Sequence, residues 1–210
     1  MSSEIQRFYL DWGIYPGEEV TREEALDEGD YTRAQFNESD APLFAEFYDS
    51  GRLFHVDYWT SDPDSVRNDH LLHHPGVPFG IQLTVQHIGN YRWSVSHRYA
   101  NSGDLAGYLV HLERINTYDA ALMTLQIDLQ RQLKKIEKNS YDSDGQLHYV
   151  FEYNPEGDVV SIHDSPEGST PQLAAALDDV DMPDFYREGF ALPAGIDRSS
   201  IPLLGGQSGS

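Results

Sequence analysis

The sequence predicts an α+β protein: an antiparallel meander sheet with one long helix, about 118–138, and short flanking helices. Three observations carry this. Apolar residues alternate with polar ones at Ile81, Leu83 and Val85, and again at Tyr91, Trp93 and Val95, the period of half-buried strands. Thr21-Arg22-Glu23-Glu24 has the form of a capping box. From Leu122 the period changes: Leu122, Leu125, Leu129, Leu133 and Ile136 follow at steps of three and four, which line one face of a helix.

The elements follow in order. Phe8–Trp12 reads as a first strand, with a turn at Tyr15-Pro16-Gly17. In the capping box the Thr21 hydroxyl accepts the Glu24 amide and Glu24 reaches back to the amide of Thr21. Val20 staples the entry and Gly29 supplies the stop, giving a helix over 22–28. Tyr31–Phe36 and Leu43–Tyr48 read as strands. In the centre, pairing residue 87 with 91 sets Val85 opposite Trp93 and Leu83 opposite Val95. A three-residue loop over Ile88–Asn90 is therefore expected in place of a two-residue turn. A turn at Asn101-Ser102-Gly103-Asp104 leads to a strand over Leu105–Leu112. For the long helix, Asn116 or Thr117 caps, Asp119 lies in the first turn, and Lys134, Lys135 and Lys138 suit the C-terminal dipole. Strands at Leu147–Tyr153 and Val159–His163 come next. Pro171 at a first helical position and the run Leu173–Leu177 give a short helix. The reading is one domain over 1–204 with a flexible tail over 205–210.

Charge limits what the protein can bind. Fourteen Lys and Arg stand against 35 Asp and Glu, a net of -21. Phosphate contacts need clustered Lys and Arg, so direct nucleic-acid binding is not expected. No apolar run approaches the ~18 residues of a membrane span, and the start carries no secretory signal, so the expected compartment is the cytoplasm. Zero cysteine excludes disulfides and thiol chemistry, while 13 Tyr, 9 Phe and 3 Trp supply a core. Residues 18–49 carry eleven acids and two arginines, and residues 141–188 carry twelve acids and one arginine. The segment between them that covers 51–112 holds five acids and four arginines, so two acidic blocks flank a neutral middle.

Candidate chemistry is sparse. Asp62, Asp64, Asp69, His70, His73 and His74 are the best cluster of metal-ligand residue types. Pro63, Pro75, Gly76 and Pro78 make that segment a loop, and no Glu lies between the histidines as in a zincin. No metal, cofactor or catalytic residue is assigned. His87, His97 and His111 fall on strands and read as half-buried structural histidines. No nucleophile elbow, phosphate loop or dinucleotide fingerprint is present, so the chain reads as a non-enzyme.

One pattern recurs. Tyr48-Asp49-Ser50-Gly51-Arg52-Leu53 is echoed at Tyr99–Leu105, Tyr141–Leu147 and Tyr153–Val159: an aromatic, a polar turn ending in Gly, one spacer, then Leu or Val. Each copy is a strand–turn–strand unit with Gly at the positive-φ position. The stretches 47–59, 99–112 and 141–163 resemble the β-hairpin repeats of bacterial YD and MORN-like proteins. Together with the early Glu23-Glu24-Ala25 helix, they make this acidic chain similar to immunity proteins of bacterial polymorphic toxins. That resemblance implies an antitoxin: a toxin inhibitor working by protein–protein interaction. The charge pattern implies a basic partner, such as a toxin or effector domain, held by Glu18, Glu19, Glu23, Glu24, Asp27, Glu28 and Asp30 and by Asp178, Asp179, Asp181 and Asp184. Two other functions compete with this: a nucleic-acid mimic that blocks a DNA- or RNA-binding protein, and an enzyme built on a His/carboxylate cluster. A mimic needs acids at regular spacing, and two separated blocks do not supply that.

Overall fold

The structure is a computed structural model that describes residues 5–10, 13–14, 17–115, 121–165 and 168–204. It is mainly β. Among the described residues eleven strands lie in chain order: β1 (Ile5–Leu10), β2 (Tyr31–Phe36), β3 (Pro42–Asp49), β4 (Arg52–Trp59), β5 (Phe79–Ile88), β6 (Tyr91–Tyr99), β7 (Leu105–Arg114), β8 (Ala121–Ile127), β9 (Leu133–Tyr141), β10 (Leu147–Tyr153) and β11 (Val159–Asp164). The helices are short: α1 (Arg22–Glu28), α2 (Pro63–His73), α3 (Leu173–Asp178) and α4 (Pro183–Tyr186), with a 3-10 turn at Arg198–Ser200. The chain divides into two compact units, Met1–Leu83 with Ser96–Ala106, and Thr84–Val95 with Gly107–Ser210.

The long helix over 118–138 is not there, and the α+β class goes with it. Its described part is the hairpin β8–β9, with Leu125 opposite Ile136. Met123, Leu125 and Ile127 point inward on β8, and Ile136, Lys138 and Ser140 on β9. The inward row of β9 is thus apolar, cationic and polar, which hides its period of two. The proposed caps Asn116 and Thr117, and Asp119, lie outside the described residues, as do Tyr15, Pro16 and the 205–210 tail.

The turn between β8 and β9 was hidden for a related reason. In the turns starting at Asn37, Ala100, Asp128, Asp142 and Asn154, the first residue's amide bonds the carbonyl four residues on. The amide of the fourth residue bonds back to the carbonyl of the first. The fourth residue is left-handed in each: Asp40 (φ 61°), Gly103 (80°), Arg131 (60°), Gly145 (83°) and Gly157 (99°). Three are the sequence repeats. The other two carry Asp40 or Arg131 at the position where the repeats have Gly. The Tyr48 copy is a tighter turn, with Ser50 (φ 50°) and Gly51 (φ 73°) between Asp49 and Arg52.

Other expectations are corrected in place. β5 and β6 leave only Gly89-Asn90 between them, not a three-residue loop. The longer loop assumed that Val85 and Trp93 share a buried face, but Val85 is 55% exposed and Trp93 is buried. β1 lies at Ile5–Leu10, earlier than Phe8–Trp12. The segment read as a loop around His70 is α2, because Asp62 caps it through the Ser65 amide (3.2 Å) and Pro63 fits the first turn. That helix joins β4 to β5 in a parallel pair, Val56 opposite Phe79, so the meander is not wholly antiparallel.

In the first unit, Tyr9, Ala34, Phe36 and Ala45 form one buried cluster. Val56, Phe79 and Ile81 form another, packed against Val66 and Leu71 of α2. The second unit has the larger core, running from Trp93 and Leu112 through Leu125, Ile136 and Phe151 to Phe185, Tyr186 and Ile201. Among the described residues no helix is long and apolar enough to cross a membrane.

Candidate functional site

The first acidic block centres on α1, and it forms as the sequence predicts. Thr21 accepts the Glu24 amide (3.2 Å), Glu24 accepts the Thr21 amide (2.8 Å), and Gly29 closes the helix at φ 83°. Ala25 is buried and fixes the inner face, so Glu23, Asp27 and Glu28 are exposed, with Leu26 (52% exposed) among them. Glu18 and Glu19 are exposed just before the helix, and Glu19 lies 3.8 Å from Arg7. Two acids of this block also make local structural bonds. Bonds from the Thr21 hydroxyl and amide hold the Glu24 carboxyl below its usual pKa. Asp30 accepts the Ser50 amide (2.7 Å) and ties the exit of α1 to the β3–β4 turn.

The second block runs from the end of α3 through the connecting turn to α4 of the second unit, where Asp178, Asp179, Asp181 and Asp184 are all exposed. Asp179 accepts the Tyr149 hydroxyl (3.1 Å), Asp181 lies 3.7 Å from Arg114, and Asp184 lies 3.6 Å from Arg187. α4 is held from below by Lys138. This ammonium is fully buried and donates to the carbonyls of Phe185 (2.5 Å), Glu188 (2.7 Å) and Ala191 (2.8 Å). It also sits 4.1 Å from the centre of the Phe185 ring. Burial pulls its pKa down to about 7. Three carbonyls matched to three N–H donors act in the opposite direction and favour the charged form.

Several other charges are buried in pairs that sequence reasoning missed. In the first unit Glu46 is 2% exposed and accepts from Arg33 across β2–β3. The Tyr48 hydroxyl donates to Glu46 (3.2 Å), and burial with that carboxylate pushes the phenol up to about 12. His74 Nε2 lies 3.9 Å from Glu46. The Tyr58 hydroxyl donates to His70 Nδ1 (2.8 Å), because His70 Nε2–H donates to the Val77 carbonyl (2.9 Å). Burial lowers the His70 pKa, which keeps the ring neutral. Asp57 accepts from His55 (2.8 Å) and Arg98 (3.1 Å). In the second unit Glu113 accepts from Arg92 (2.5 Å) and Ser94 (3.3 Å). The available signal was an Arg and a Glu on neighbouring strands, visible only once the register is known.

The histidines of the sequence cluster do not converge. His70 faces Tyr58 and Val77, His73 faces Asp69 (3.2 Å) and His74 faces Glu46. Among the described residues no group of three His, Asp or Glu is placed to hold a metal ion. His87, His97 and His111 lie on β5, β6 and β7; His111 bonds Thr124 (3.1 Å), whereas His87 is exposed. No protein-family model matches the chain, and neither curated proteins nor solved structures give a significant match.

Proposed function

We propose that the chain is an acidic binding protein of the immunity type, which neutralises a toxin or effector domain by covering its active site or substrate surface. The observation that carries this reading is where the charges go. Arg33, Arg92 and Arg98 are taken up by partly or fully buried carboxylates and Lys138 by backbone carbonyls, while Glu18, Glu23, Asp27, Glu28, Asp178 and Asp184 stay at the surface. Excess negative surface steers a basic partner, and the gain is mainly in the rate of encounter. The test is affinity capture from the native cell, then assay of the captured protein with and without this chain. The reading expects one stoichiometric basic protein whose activity is lost on binding. Capture of a nucleic-acid enzyme displaced by DNA or RNA would instead support mimicry.

A further inference from the structure

β5 outruns its neighbour. The pairing of β4 with β5 ends at Trp59 opposite Gln82, yet β5 continues to Ile88. In the strand order β5 has β4 on one side and β6 on the other. Past Gln82, the backbone groups facing away from β6 therefore meet no paired strand among the described residues. Strand edges left open to solvent are usually blunted by a charge, a proline or a bulge. The run Leu83-Thr84-Val85-Gln86-His87-Ile88 carries no Lys, Arg, Asp, Glu or Pro. Val85 is 55% exposed, and Gln86 and His87 are exposed beside it.

Within the second unit, this edge forms one wall of an open groove of about 1100 Å³. Ser199, Ile201 and Leu203 line it, and so does Arg131. Arg131 (φ 60°) and Leu203 (φ 66°) both hold left-handed backbone that favours glycine. In the other turns of this form that position is Gly103, Gly145, Gly157 or the short Asp40, so the long arginine is kept at a conformational cost. Arg131 also makes no ion pair among the described residues. The other cations of this unit have a carboxylate, carbonyl or ring partner.

We propose that this edge receives an extended segment of a partner protein as an added β-strand. An acidic side chain or terminal carboxylate of that segment pairs with Arg131, and an apolar one packs against Val85 and Leu203. Main-chain bonds supply the affinity in this mode, and alternate side chains supply the selection. The assignment does not depend on steering by the acidic surfaces. A second copy of this chain is the poorer occupant, because a net charge of -21 repels it.

The probe is a displayed library of random linear peptides, each about ten residues long, panned against the full chain. Enriched peptides should alternate apolar and polar residues and carry an acid. They should slow hydrogen exchange of amides within residues 84–88, and they should lose at least about tenfold in affinity to Arg131→Gly and to Val85→Lys. Glycine takes φ 60° without strain, so Arg131→Gly should melt no lower than wild type, and a loss there is not unfolding. No enrichment, protection elsewhere, or unchanged affinity for Arg131→Gly would overturn the proposal. Self-association that protects the same amides would also overturn it, by giving the edge to a second copy.

Discussion

Lys138 sets the terms at the residue scale. A buried ammonium with a lowered pKa makes stability depend on pH with a definite sign. Between the folded value of about 7 and the ordinary value of 10.5, the unfolded chain binds more protons than the folded one. Unfolding free energy should therefore rise with pH in that window, by at most ~1.4 kcal/mol per pH unit. Denaturant midpoints at pH 7 and pH 9.5 measure this, and Lys138→Met should flatten the rise. A wild-type midpoint that does not rise would mean that the carbonyl cage fully offsets the burial. Gly80 makes a second residue-scale case. A Cβ there would overlap Asp57 Oδ1 and lie 2.9 Å from Arg98 Nη1. Gly80→Ala must push that ion pair apart and should cost about 2 kcal/mol in denaturant unfolding. A cost near zero would show that the Asp57 group yields freely.

At the scale of elements, the sequence was legible where the signal is local. α1 is specified by Thr21, Glu24 and Gly29 within nine positions, and it forms over the expected residues. α2 carries equally local signals in Asp62 and Pro63, but Pro63 with Pro75, Gly76 and Pro78 reads as a loop. β8–β9 was not legible because Lys138 sits in the inward row and Arg131 replaces the turn glycine, leaving leucines at accidental helical spacing. The two readings differ at Leu129, which a helix would bury with Leu125. In the hairpin Leu125 is buried and Leu129 is 47% exposed at the turn. Leu125→Asp should cost several kcal/mol by burying a carboxylate, and Leu129→Asp less than ~0.5 kcal/mol. Similar losses at both positions in chemical denaturation would restore the helix.

At the scale of the whole molecule, the acid count was readable from composition, but the use of each acid was not. Glu24 and Asp30 hold a cap and a turn besides their place in the first acidic block, while Glu46, one of the eleven acids of 18–49, is buried against Arg33. Such assignments depend on register and on long-range contacts, which one sequence does not print. What remains at the surface of each unit is the charge proposed to steer a partner. The association rate of this chain with its captured partner tests that charge most directly, at ionic strengths from about 50 to about 500 mM, where the Debye length falls from roughly 14 to roughly 4 Å. The account predicts that salt slows association at least tenfold. Reversing Glu18, Glu23, Asp27 and Glu28 should do the same at low salt, with dissociation little changed. An association rate indifferent to both salt and charge reversal would contradict it.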